Sequence, residues 1–248
     1  MRTVEPRHRN PQHGGPVFLV PPLWTDRPGP VEPLVAADRA MLAGIATIVR
    51  FRKGETIYRQ GEPATAVFNI VSGMAKSYKL LPDHSEHIVE FLFRHDLAGL
   101  AENGKYLNSA DALTPVTLYR IPTIAAEARL RNHPSFDYQV ICKLCHELGE
   151  AQRHAYLLSR NRAAVRLSLF LRMLASQQAS HGESGDLFLP MNRSDIGAYA
   201  GISPEAVSRS FRQLTDQGVI SFSDRRHVRI LDAARLEQDA ADQDLSSP

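Results

Sequence analysis

This 248-residue sequence predicts an α+β protein, and three observations predict it. Short runs that alternate apolar and polar residues fill positions 45–121, with turn residues between them, as in an antiparallel barrel or double-sheet roll. One long stretch, Pro134 to Arg160, carries apolar residues at a coiled-coil spacing. From Met191 onward, two short helices joined by a tight turn precede two alternating runs, the order of a winged helix-turn-helix. The chain divides accordingly into an arm (1–36), a β-roll unit (37–133), a dimerisation helix (134–160), a winged helix-turn-helix unit (161–237) and a tail (238–248).

Residues 1–36 hold eight of the 16 prolines and show no period, so they are expected to form a flexible arm. His8 and His13 within it are read as solvated. Ala37 to Ala43 reads as a short helix closed by Gly44. The strand runs are Ile48–Phe51, Thr56–Tyr58, Val67–Val71, Ala75–Leu80, His87–Phe93 and Val116–Ile121. Lys53-Gly54, Gly61-Glu62-Pro63, Ser72-Gly73 and Pro82-Asp83 punctuate them. His84 and His87, beside the last of these turns, are expected to be exposed hairpin residues.

In the long helix, Ile141, Leu144, Leu148, Ala151, Ala155 and Leu158 recur at spacings of 3, 4, 3, 4 and 3, an a/d seam. A helix lying on a sheet needs a broader apolar face. Lys143, Glu147, Glu150, Gln152, Arg153 and His154 surround the seam with polarity, which favours pairing with a second copy of the same helix. Cys142-Lys143-Leu144-Cys145-His146 is a C-x-x-C-H pattern, as in covalent haem attachment. Leu144 is a seam residue, however, and a haem there would disrupt the pairing. No second cysteine pair completes a four-ligand zinc site, and residues three apart on a helix are poorly placed for a disulfide. Cys142 and Cys145 are read as half-buried thiols beside the seam, with a redox-active pair as the alternative and haem ligation as a remoter one. No metal site is expected.

Arg162 to Gln178 reads as a further helix burying Val165, Leu167, Leu169, Phe170 and Leu174. After it, Ile196, Tyr199 and Ala200 give a first short helix one apolar face, and Gly201 ends it in the left-handed conformation. Ser203 is the N-cap of the second helix and Pro204 its first residue, where the missing N–H costs nothing. Val207, Phe211 and Leu214 face inward, which leaves Glu205, Ser208, Arg209 and Arg212 outward. In such a motif the start of the second helix enters the major groove of double-stranded DNA. Arg209 carries the fork that fits guanine O6 and N7, Glu205 accepts from cytosine N4, and Ser208 bonds either kind of edge. Val219–Phe222 and His227–Ile230 alternate like strands around a polar turn, Ser223 to Arg226, so a wing follows. Arg193, Arg212, Arg225 and Arg226 are the expected phosphate contacts. An ordinary helical hairpin with a solvated charged face is the competing reading, and the wing weighs against it. From about Gln238 the chain reads as frayed.

The net charge of +2 is too small to imply nucleic-acid binding alone. Its distribution is more telling: Ala151 to Arg235 holds twelve Arg, no Lys and seven acids, a balance of +5. The apolar run Val17–Val20 stops at Pro21-Pro22, too short for an export signal or a membrane span. A cytoplasmic protein with no membrane partner is expected. No Gly-rich phosphate loop, nucleophile elbow or HExxH pattern is present, so no enzyme and no catalytic residue are expected.

The segment Met191 to Ile230 resembles the DNA-binding domain of the Crp–Fnr superfamily of bacterial transcription regulators. Glu205-x-x-Ser208-Arg209 is similar to the E-x-x-S-R signature of its Fnr and FixK-type branches, whereas the cyclic-AMP receptor branch has Arg where Pro204 stands. That resemblance implies a half-site of the TTGAT type, a homodimer on a pseudo-palindrome, and RNA polymerase as a further partner if the protein activates. Phe51 to Asp83 resembles the superfamily's cyclic-nucleotide-binding-type β-roll, with Gly54, Gly61 and Gly73 at its turn glycines. Nucleotide-binding members hold ribose and cyclic phosphate with a Glu and an Arg, and here Leu100 and Asn108 occupy those positions. Leu cannot accept a hydrogen bond and Asn lacks the charged fork, so cyclic AMP binding is not expected. His95 stands where the superfamily has Gly. No cysteine precedes Cys142, so the N-terminal iron–sulfur cysteine group of the oxygen-sensing branch is missing. The resemblance therefore implies a FixK-like regulator without its own cofactor, answering oxygen, redox or nitrogen-oxide-related signals directly or downstream of another sensor. A small-molecule or haem-binding sensor of the same fold is the alternative.

Overall fold

A computed structural model describes residues 44–132, 148–180 and 186–241. The expected arm (1–36), the expected helix Ala37–Ala43, Ile141, Cys142, Leu144, Cys145 and the last seven residues lie outside the described residues.

The strands predicted from alternation are present: β1 (Thr47–Phe51), β2 (Thr56–Tyr58), β3 (Ala66–Ser72), β4 (Ala75–Leu80) and β5 (Glu86–Leu92). Four short strands that the sequence reading missed follow: β6 (Leu97–Ala98), β7 (Ala101–Glu102), β8 (Lys105–Tyr106) and β9 (Ser109–Ala112). β10 (Val116–Pro122) completes the roll. One sheet runs β1-β10-β3-β6 and the other β2-β9-β4-β5, all pairs antiparallel. Inside, Tyr58, Phe68, Ile70, Leu92, Tyr106 and Leu118 form a closed core.

The turn at Gly73 requires glycine: φ is +87°, and a Cβ would lie 2.2 Å from the Pro115 carbonyl oxygen. His95 takes a φ of +72°, so the left-handed turn survives without glycine. Its backbone N–H donates to the Ile70 carbonyl at 2.8 Å, and Asn69 Nδ2 donates to its carbonyl at 3.0 Å. These bonds hold a conformation that the side chain disfavours.

A helix unforeseen in the sequence, α1 (Thr123–Asn132), closes the β-roll unit. The described part of the long helix is α2 (148–159), ending one residue before the predicted Arg160. Then come α3 (Ala163–Ser180), β11 (Leu187–Phe188), α4 (Arg193–Ala200), α5 (Pro204–Asp216), β12 (Ile220–Phe222) and β13 (His227–Ile230). The reading that the chain frays from Gln238 is corrected, since α6 (Ala233–Ala241) continues past it, anchored by the buried Leu236. All five residues predicted to be buried on α3 are buried.

β4 and β5 are covered on both faces. Ala75 and Leu92 point into the roll, while Met74, Tyr78, Ile88, Phe91 and Phe93 join a second core with Phe170, Leu174, Tyr199 and Phe211. Strand alternation, with a β-bulge between the Ser77–Glu90 and Tyr78–Ile88 pairs, thus gives the β-roll one face for itself and one for the C-terminal unit.

Candidate nucleic-acid interface

The first helix of the motif, α4, begins with a capping box that went unread in the sequence. Asn192 Oδ1 accepts from the Asp195 N–H at 2.8 Å, and Asp195 Oδ2 accepts from the Asn192 N–H at 3.0 Å. The spacing Asn192-x-x-Asp195 was the available signal. The helix ends as predicted, at Gly201 with φ of +64°. Gly197, also unread, lets the following chain pass close: a Cβ there would lie 2.5 Å from the Ile202 carbonyl oxygen.

In α5, Ser203 accepts the Ala206 N–H at 3.2 Å and Pro204 occupies the first turn, as predicted. Val207, Ser210, Phe211 and Leu214 are buried, and Glu205, Ser208, Arg209 and Arg212 are exposed on the opposite side. The Glu205 carboxyl is held below its ordinary pKa, first by its own backbone N–H, then by the Ser203 hydroxyl and by Arg209. It is therefore an ionised acceptor at neutral pH, beside a permanent donor. Ser208 donates its hydroxyl proton to the Pro204 carbonyl at 2.9 Å. The reading that Ser208 bonds either kind of edge is narrowed accordingly, because in this geometry its oxygen presents lone pairs only.

Arg209, Arg212, Arg225 and Arg226 carry exposed side chains, and no salt bridge engages them among the described residues. Arg193 differs. Its guanidinium lies 3.8 Å from the centroid of Phe211 and 5.5 Å from that of Phe222, so it bridges α4, α5 and β12. Burial lowers its pKa, and its first role here is stacking.

The wing pairs β12 with β13, and β11 adds a third strand. At its tip, Asp224 Oδ1 accepts the N–H groups of Arg226 at 2.6 Å and His227 at 2.9 Å, and Oδ2 lies 2.8 Å from His227 Nδ1. The Arg226 N–H, followed by the His227 side chain, holds the Asp224 carboxyl below its usual range. Arg229 is taken up by Asp186, with Nε 2.7 Å from Oδ1.

On α2, Leu148, Ala151 and Ala155 are exposed and Leu158 is half-buried, so the first three of the described seam residues are uncovered within one chain. The heptad pattern places His154 among the polar residues around the seam, but it is 8% exposed, turned inward with Leu157. His87 likewise is half-buried and not an exposed hairpin residue, because α2 roofs that part of β5 and the two rings lie 6.1 Å apart. His84, at the hairpin itself, is exposed as predicted.

In the roll, Leu100 is 43% exposed. Asn108 Nδ2 donates to Ser77 Oγ at 3.3 Å, and its buried Oδ1 has no partner among the described residues. Among the described residues, no group of three or more His, Cys, Asp or Glu could hold a metal ion, and no helix is long and apolar enough to cross a membrane.

Comparison with known proteins agrees with this arrangement. Residues 165–239 match the Crp-like helix-turn-helix domain, and residues 48–133 match the cyclic nucleotide-binding domain. The nitrogen fixation regulation protein FixK of Bradyrhizobium diazoefficiens is 32% identical over 84% of this chain and 88% of its own length. The transcriptional activator protein anr of Pseudomonas aeruginosa is 32% identical over 75% of this chain and 77% of its own. Among solved structures, FixK2 from Bradyrhizobium japonicum superposes with a TM-score of 0.75 at 32% identity, covering 79% of this chain and 98% of that one.

Proposed function

The chain belongs to the Crp–Fnr superfamily of DNA-binding transcription regulators, in its Fnr/FixK-like branch and not to an enzyme family, and from that premise we propose how it reads DNA. It acts in the cytoplasm as a homodimer on a TTGAT-type pseudo-palindrome. Glu205, Ser208 and Arg209 contact bases. Arg212, Arg225 and Arg226 contact phosphates, and Arg193 reaches the backbone only from its stacked position on Phe211. The observation that carries this reading is the exposed side of α5, where an ionised carboxylate, a hydroxyl oxygen left only as an acceptor and a guanidinium outside any salt bridge among the described residues stand at the E-x-x-S-R spacing beside the wing.

The uncovered seam at Leu148, Ala151 and Ala155 supports pairing through α2, which sets two recognition helices about 34 Å apart, one turn of DNA. The protein binds DNA without cyclic AMP, since Asn108 supplies no positive charge and is already bonded to Ser77. Its signal is of the oxygen, redox or nitrogen-oxide class, received directly or through another sensor, and RNA polymerase is the partner where it activates.

One observation favours the alternative, a sensor of this fold whose DNA binding requires an effector. Asn108 Oδ1 is buried without a partner among the described residues, and a ligand in the roll would satisfy it.

Fluorescence anisotropy tests both readings. The untreated protein is titrated with a TTGAT-N4-ATCAA duplex and with a half-site-scrambled duplex at one fixed salt concentration. Selective binding without additives is expected. Selectivity that emerges only with an added small molecule would support the effector-requiring sensor, and none under any condition would remove the assigned base-reading roles.

A further inference from the structure

The DNA-reading unit is fastened to the rest of the chain at two points away from its exposed face. At the first, Lys76 Nζ on β4 lies 3.0 Å from Asp195 Oδ1 on α4 and also bonds Glu86 on β5. The Lys76 and Asp195 side chains are only 12% and 10% exposed. Asp195 is the same carboxylate whose other oxygen caps α4. One residue therefore starts the first helix of the motif and holds it to the β-roll. At the second point, Arg166 on α3 donates from Nη1 to the carbonyls of Ala200 at 3.0 Å and Gly201 at 2.8 Å, and from Nε to that of Arg160 at 2.6 Å. One guanidinium thus joins the turn of the motif to the end of the α2 segment. The turn lies close against this joint, since a Cβ on Gly201 would come within 3.0 Å of both Arg166 Nη1 and Leu158 Cδ2.

We propose that Lys76 and Arg166 are spacing-determining residues, which fix the recognition helix relative to the paired α2 helices and thereby select the separation of the two half-sites. The inference rests on the reading of the chain as a dimeric DNA-binding regulator. In a dimer, the distance between recognition helices depends on the angle each DNA-reading unit makes with the seam. A change of one base pair moves a half-site by about 3.4 Å. The apolar contact between the units, centred on Phe91, Phe170 and Tyr199, is non-directional and tolerates sliding. Charge-assisted hydrogen bonds to fixed oxygens do not. Lys76 and Arg166 supply the directional bonds at opposite ends of α4, one at its capping box and one at its last carbonyls.

The test compares wild type, Lys76→Gln and Arg166→Lys on duplexes whose inverted half-sites are separated by the preferred spacer or by one base pair more or fewer. Lysine keeps the charge at 166 but loses the fork that reaches three carbonyls. A displaced half-site forfeits at least one base contact, so wild type should prefer one spacer by roughly 5-fold or more. In the variants that ratio should fall to about 2-fold or less, while preference for intact over scrambled half-sites persists, because Glu205, Ser208 and Arg209 are untouched. A purely stabilising role would lower the melting temperature and weaken all spacers alike. An unchanged spacer ratio in folded variants therefore overturns the inference. If Lys76→Gln does not fold, Arg166→Lys decides alone. A wild type that does not distinguish intact from scrambled half-sites refutes the underlying reading and the inference with it, and that outcome is visible before any variant is made.

Discussion

His154 lies flat on Tyr199, with ring centroids 4.0 Å apart and planes 8° from parallel, and its Nε2 is 2.8 Å from the Tyr199 carbonyl oxygen. A carbonyl only accepts, so Nε2 carries the proton. The contact joins α2 to the first helix of the DNA-reading motif. His87 of β5 faces the same ring, and Glu90, Glu150 and Arg153 surround Tyr199. Burial, and secondarily the nearby His87, push the His154 imidazole below its ordinary pKa, against the opposing effect of the Tyr199 carbonyl.

The sign of the resulting pH dependence follows. As pH falls through about 6.5 the unfolded chain gains a proton at His154, while the folded chain takes it up only at lower pH. The unfolded state then binds more protons, so stability is lost as pH falls through the window between the two pKa values. Asp83, Asp186, Glu205 and Asp224, all held below their ordinary values, titrate below that window. Calorimetric melting of wild type from pH 7.5 to 5.5 (about one unit either side of the imidazole range) should therefore show a falling Tm. His154→Phe keeps a ring on Tyr199 and removes the titration. It should cost roughly 1 kcal/mol at neutral pH for the lost hydrogen bond, yet show a flatter slope. Equal slopes in the two proteins would assign the pH dependence elsewhere.

In the proposed reading, Arg209 is the residue on which base reading depends most. With its fork on guanine, Arg209→Ala should lose about 1–3 kcal/mol of discrimination at that base pair. Affinities for duplexes altered one base pair at a time give the answer. An equal loss on specific and scrambled DNA would make Arg209 a phosphate contact instead.

What was legible in the sequence was local. Ser203-Pro204 and Gly201 mark helix ends through their own backbone chemistry, and all three do so in the structure. The strands of five or more residues were visible in their alternation, but strands of two residues such as Leu97–Ala98 have no period to read. The ties that orient the motif were not legible: Lys76 and Asp195 are 119 positions apart, and nothing near either names the other. His154 shows why polarity misleads. A heptad pattern assigns it to the outer flank, whereas stacking and one hydrogen bond satisfy it inside. The exposed faces of α5 and of the seam were easier to infer, because they are what remains when the apolar positions turn inward.

The wing tip should contribute affinity without selectivity. Arg225→Ala and Arg226→Ala should weaken binding about equally on specific and scrambled duplexes. Each should reduce the slope of log K against log salt by about 0.9 if it removes one phosphate contact. Salt titrations by anisotropy measure this directly. A change in base preference in either variant would move that arginine into the base-reading set.

Gly197→Ala tests the tight turn of the motif. The added methyl would meet the Ile202 carbonyl oxygen at 2.5 Å, a backbone atom that also stands two residues before the first turn of α5. Overpacking of this kind typically costs about 1–3 kcal/mol, and relief requires the turn to open. Both stability and DNA binding should fall. Denaturant unfolding with unchanged midpoint would mean that the turn relaxes freely.

Leu148 offers the cleanest test of the pairing surface. It is 60% exposed in the single chain, at the described start of the seam, so Leu148→Asp removes little packing within one subunit. In the proposed dimer, the same change places a charge where the two helices face each other, opposite its own symmetry mate. A like-charged pair in an apolar seam is unfavourable both through desolvation and through repulsion. Sedimentation equilibrium should therefore show wild type as a dimer and the variant shifted toward monomer at equal concentration. Its binding to the full pseudo-palindrome should fall toward that of a single half-site, because the second recognition helix no longer arrives with the first. The far-UV circular dichroism should stay unchanged. A variant that remains dimeric with full affinity would show that the exposed stripe of α2 is not the surface through which two copies meet.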